Sequence, residues 1–128
     1  MKLTDLFKDV WGILTVVFAL ATGVFLLITG IKIVPTGFFF WATTIIWILG
    51  FVGFALILVF LIWPLIQDVA AGTLKIFLIV AGVFAILTFI FWIIIPGGIL
   101  FIPWVLIVNL ILGVVTIVFS FLGLKATV

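Results

Sequence analysis

Polar residues do not alternate with apolar ones along this chain. The apolar positions run together in four long blocks, at about Val10–Ile31, Phe38–Trp63, Ile76–Ile95 and Ile99–Gly123. Each block is close to the roughly 20 residues that carry a helix across about 30 Å of hydrocarbon at 1.5 Å per residue. A buried strand is usually about 4–8 residues long, so blocks of this length predict helices despite their many Val, Ile and Phe residues. In lipid a helix satisfies its own backbone groups, which outweighs the weak helix propensity of those residues. The expected fold class is all-α. Four long hydrophobic helices form two consecutive helical hairpins, at about residues 10–63 and 76–123, within one membrane-protein-like domain.

The interruptions have local causes. Lys32-Ile33-Val34-Pro35-Thr36-Gly37 joins the first two blocks and Ile95-Pro96-Gly97-Gly98 the last two. Proline lacks a backbone donor and restricts the residue before it, while glycine tolerates positive φ, so both stretches predict tight turns. The central connection runs from Pro64 to Gly72 and holds the polar pair Gln67 and Asp68. Pro103, inside the fourth block, either kinks that helix or stands in its first turn. The halves also read as copies. Gly23-Val24-Phe25 returns as Gly82-Val83-Phe84, Pro35-x-Gly37 as Pro96-x-Gly98, and Ile48-Leu49-Gly50 as Ile111-Leu112-Gly113. A tandem duplication of a two-helix hairpin would produce that pattern.

Within the blocks, small and weakly polar residues recur at helical spacing. The first carries Thr15, Ala19, Thr22 and Thr29, with Gly23 beside them; the third carries Ala81, Ala85 and Thr88. The fourth has the clearest stripe, Asn109, Gly113, Thr116, Ser120 and Gly123. In lipid such stripes mark helix–helix contacts, because small side chains let backbones approach and hydroxyls can bond across the seam. Asn109, the one amide of the apolar blocks, is expected to make an interhelical hydrogen bond.

Composition narrows the functions. The chain has 128 residues, 70% hydrophobic and 6% charged. An ordinary soluble domain is about 25% charged, and a globule of this size could not hide so much apolar surface. There is no Cys, His, Tyr, Arg or Glu. No nucleophile–base pair can be built from the remaining residues, and Asp5, Asp9 and Asp68 are too few and too peripheral to hold a metal. The expectation is a protein that is not an enzyme, with no catalytic residue, no metal and no cofactor. Small multidrug exporters and the rotor proteolipids of rotary ATPases need a membrane-embedded carboxylate, which this chain lacks. The glycine-rich, arginine-containing signature of the small fluoride channels is absent as well.

The lysines set the expected topology. With four crossings, Lys2, Lys8, Lys75 and Lys125 share one side and Lys32 lies on the other as an interfacial anchor, which predicts cytoplasmic N- and C-termini. Trp11 and Trp63 then mark one membrane boundary and Trp41, Trp92 and Trp104 the other, while Trp47 reads as a packing residue. The four shared lysines are candidate contacts for lipid headgroups or, weakly, for nucleic acid. Lys2 and the run ending in Ala19-Leu20-Ala21 imitate a secretory leader, but Asp5 and Asp9 spoil its basic start, so the segment is expected to be retained.

On the hairpins around Pro35-Thr36-Gly37 and Pro96-Gly97-Gly98, the scarcity of charge and the weakly basic termini, the whole chain resembles the major capsid proteins of archaeal spindle-shaped viruses. The resemblance is one of type, with no diagnostic motif. It implies insertion into the host membrane, then lateral assembly with copies of itself into a shell around DNA, the lysine-bearing face toward the nucleic acid. A looser similarity is to bacterial acid-resistance membrane proteins made of short Gly…Pro repeats. Beside a self-assembling coat stand two other readings: a small accessory subunit of a larger membrane complex, and an oligomeric passive channel.

Overall fold

In a computed structural model of the chain, residues 7–8, 10–32, 41–94, 100, 102 and 104–123 are described. They form four α-helices: α1 (Val10–Lys32), α2 (Trp41–Ile66), α3 (Ala71–Ile94) and α4 (Trp104–Gly123). Stretches of 19 to 23 residues within them are each long and apolar enough to cross a membrane. The all-α, four-helix expectation is met, and four such helices fit an integral membrane protein. The turns around Pro35 and Pro96, with Lys2, Asp5, Asp9, Pro103 and Lys125, lie outside the described residues.

Boundaries move: α4 begins at Trp104, five residues into its apolar block, and two other shifts have a local cause. α2 runs through Pro64 to Ile66 instead of stopping at Trp63. A proline this close to a helix end removes few backbone bonds, and Gln67 N–H still donates to the Trp63 carbonyl at 3.2 Å. α3 begins at Ala71, five residues before the apolar block, because the Ala70 carbonyl accepts from the N–H groups of Thr73 (3.0 Å) and Leu74 (3.3 Å).

Every helix packs against its sequence neighbour, and α1 closes the ring on α4; α1 also touches α3 across the diagonal. The two hairpins therefore form one closed bundle. The four neighbouring pairs around the ring run antiparallel, and the diagonal pair α1–α3 runs parallel. Along α1 and α2, Gly23 meets Ile57 and Gly30 meets Phe51; along α3 and α4, Lys75 meets Phe121 and Thr88 meets Asn109. Along α1 and α4, Trp11 meets Phe119 and Phe25 meets Trp104. Lys8, Asp68 and Lys75 thus share one end of the bundle, and Trp104 stands at the other.

An apolar core lies between α1, α2 and α3, where Phe60 and Leu78 pack with Val16, Ala19, Ile57, Leu74, Ala81 and Val69 of the connecting segment. The outward faces of all four helices are apolar too, with Leu20, Ile62, Ile76 and Ile111 among the exposed side chains. Trp47 differs from its expected packing role. It is 37% exposed, and its ring meets Phe51 one turn along the same helix.

Candidate functional site

The inward faces of α1, α3 and α4 carry the polar side chains. Thr15, Thr22, Thr29, Thr88, Asn109, Thr116 and Ser120 are all buried, at 1% exposure or less, as are Ala19, Ala81 and Ala85. Gly23 and Gly113 are buried as well, and Gly123 ends α4. These are the residues that the helical spacing places on stripes. Gly123 apart, the structure buries them inside one chain, between its own helices.

Hydroxyls join α1 to α4. Thr15 Oγ1 lies 2.7 Å from the Trp11 carbonyl oxygen on its own helix and 2.8 Å from that of Phe119 on α4, so one proton is shared between two acceptors. Deeper in, Thr22 and Thr116 Oγ1 stand 2.6 Å apart. Thr22 also reaches the carbonyls of Phe18 (2.8 Å) and Leu112 (3.2 Å), and Thr116 that of Phe18 (3.1 Å). Two hydroxyl protons serve this cluster, so one threonine donates to the other while the second donates to a carbonyl. Around it the Phe119 ring packs on Trp11 and Phe18, with centroids 5.9 and 5.1 Å apart.

That pairing can be measured. In a double-mutant cycle of Thr22→Val and Thr116→Val, the coupling energy is expected near the roughly 0.6 kcal/mol average for such pairs in membranes, and below about 1.7 kcal/mol. The value is small because each hydroxyl has a carbonyl acceptor besides the other hydroxyl, and separated helices in a membrane still offer such partners. Unfolding of the four proteins in mixed micelles measures it; a coupling of zero would mean that the two hydroxyls do not meet.

The seam between α3 and α4 combines close approach with an amide. Thr88 Oγ1 donates to the Ala85 carbonyl at 2.6 Å, and Asn109 Nδ2 donates to Thr88 Oγ1 at 3.3 Å. One turn along, a methyl group on Gly113 would stand 2.7 Å from Ala85 Cβ and 2.8 Å from the Gly82 carbonyl oxygen. Thr29 and Ser120 bond backward on their own helices, to Phe25 (2.8 Å) and Ile117 (2.7 Å). Gly30, Gly50, Gly53 and Gly82 also sit where helices touch, outside the stripes read from the sequence. The spacing Gly50-x-x-Gly53 was the signal for two of them.

At the opposite extreme of polarity, a shallow groove of about 210 Å³ on α2 is lined by Leu58, Val59, Ile62, Trp63 and Ile66. At the lysine-bearing end, Lys8 and Asp68 are exposed, and Lys75 Nζ stands 5.0 Å above the centre of the Phe121 ring. Among the described residues no group of three or more Asp, Glu, His or Cys side chains gathers to hold a metal ion.

Comparison with family models, curated proteins and solved structures finds no match to this chain. Its chemistry is therefore read from its own side chains. The buried row can bond helix to helix, the outer faces can meet lipid or other apolar helices, and the lysine end can meet anions.

Proposed function

We propose that this chain is a non-enzymatic structural protein of the membrane that assembles laterally with copies of itself, as the coat protein of a virion inserted in the host membrane before assembly. The observation that supports this reading is the distribution of polarity. Polar and small side chains face inward on one another, and the outward sides of all four helices are apolar. Lateral contact between copies then runs through those outer apolar faces, because the hydroxyl and glycine seams are already used within the bundle. The same distribution disfavours an oligomeric channel, which needs polar side chains on a face shared between copies.

The end bearing Lys8 and Lys75 is the cytoplasmic one by the lysine bias of the sequence and lies toward nucleic acid in the assembled shell. One copy binds phosphate feebly. A lattice multiplies the contact, since affinity rises with the number of phosphates neutralised.

Electron microscopy of the purified full chain after detergent removal tests the proposal. Regular shells, tubes or filaments are expected. Single dispersed bundles would overturn it, copurification with large unlike subunits would replace it with the accessory role, and solute flux through liposomes would replace it with the channel.

A further inference from the structure

Asn109 is the single asparagine of the chain and is fully enclosed, at 0% exposure. The one proton of the Thr88 hydroxyl is committed to the Ala85 carbonyl, so Thr88 Oγ1 can only accept from Asn109. This sets the orientation of the amide, with Nδ2 toward Thr88 and Oδ1 turned elsewhere. Oδ1 is then a buried polar atom without a hydrogen-bond partner among the described residues. The buried threonine and serine hydroxyls all have partners. Asn109 also stands close to one end of the bundle. It follows Trp104, the first residue of α4, by five positions, roughly 7.5 Å of helix rise. Further in, the contact of Gly113 with Gly82 and Ala85 leaves no room for so much as a methyl group.

We infer that Asn109 Oδ1 accepts a hydrogen bond from a small neutral donor held inside the bundle, a water molecule on the Trp104 side of the Gly82–Gly113 crossing. Buried polar groups left over by the protein are met by internal water of this kind. A lipid headgroup or a neighbouring copy cannot reach an atom that its own chain encloses. A hard cation is the wrong occupant, because it takes about six or more oxygens, typically with carboxylates among them, and among the described residues no group of acidic side chains gathers. The second proton of the water goes to a helix carbonyl, which keeps a spare lone pair after its backbone bond.

The sequence makes the test specific to one site. Asn109 and the exposed Gln67 are the only side-chain amides, so labelling with ¹⁵N-asparagine or ¹⁵N-glutamine reports each alone. In water-edited solid-state NMR of the full chain in bilayers, magnetisation from water is expected to reach the Asn109 amide several-fold more slowly than that of Gln67. Absence of transfer to Asn109 while Gln67 responds would overturn the inference. So would transfer as fast as to Gln67, since that describes an open site. As a second measurement, ¹³C-labelled Asn109 is expected to give the infrared carbonyl band of a hydrogen-bonded amide, and the band of a free one would equally overturn it.

Discussion

Gly50→Ala is expected to destabilise the bundle by about 2 kcal/mol, whereas Gly53→Ala, one turn along the same helix, is expected to change stability by less than about 0.5 kcal/mol. At Gly50 the added methyl would lie 2.7 Å from the Leu26 carbonyl oxygen and 3.0 Å from the N and Cα of Gly30, all backbone atoms of α1. Backbone cannot rotate aside, so α1 and α2 must separate. Overpacking of this kind costs about 1–3 kcal/mol, and the case argues for the upper end. Replacing a helical glycine by alanine returns up to about 1 kcal/mol of propensity, which leaves the net loss. At Gly53 the nearest atom is Leu26 Cδ1, also at 2.7 Å, but it is the end of a flexible side chain and the next contacts are at 3.5 Å. There the propensity gain offsets a small repacking cost. Reversible unfolding in mixed micelles, followed by helical circular dichroism, measures both. Equal stabilities for the two variants would show that the helices do not cross backbone to backbone at Gly50.

The second large effect is expected at Phe60, a fully buried side chain of the apolar core. In water a buried Phe→Ala change costs about 3–5 kcal/mol, part of it the transfer of the ring from water. In a membrane the separated helices remain in lipid, so that transfer contribution is largely absent and the loss of packing around the cavity is what remains. Phe60→Ala is therefore expected at or just below the lower end of the range, about 3 kcal/mol. Ile62→Ala, two residues away and 49% exposed on the outer face, is expected to fall within about 0.5 kcal/mol of the parent. The same micelle titration checks the pair. A small loss at Phe60 together with a large one at Ile62 would mean that α2 is rotated relative to this packing.

Much of the architecture was legible because the lipid solvent simplifies the code. A block of about 20 apolar residues has few alternatives to a helix, and prolines and glycines punctuate the blocks. The start of α3 was less legible. Thr73 and Lys75 look polar in a hydropathy profile, yet Lys75 continues the helix with its ammonium above the Phe121 ring. The inward row could be listed from periodicity, since Asn109, Gly113, Thr116 and Ser120 share one side of any helix. Periodicity does not say what that side faces. Small residues serve contacts within a chain and contacts between chains alike, so the bonds from Thr15 to Phe119 and from Thr22 to Thr116 are set by the fold and not by the local pattern. Trp47 shows the converse: an aromatic deep in an apolar block can face outward when the surroundings are lipid. Gly50 and Gly82 were visible as repeat matches, but their role depends on a crossing point that no local pattern encodes.

The ring of helices is closed by its earliest and latest members. During synthesis α1 reaches the bilayer long before α4 exists, so Thr15 and Thr22 must wait for the carbonyls and hydroxyl they eventually meet. Each has an interim acceptor one turn back on its own helix, Trp11 for Thr15 and Phe18 for Thr22, at 2.7 and 2.8 Å. A nascent chain that has inserted only its first hairpin therefore carries no stranded donor at these positions. Arrival of the final segment adds partners to groups already at rest, and the order of translation imposes little penalty on a fold whose ends must find each other.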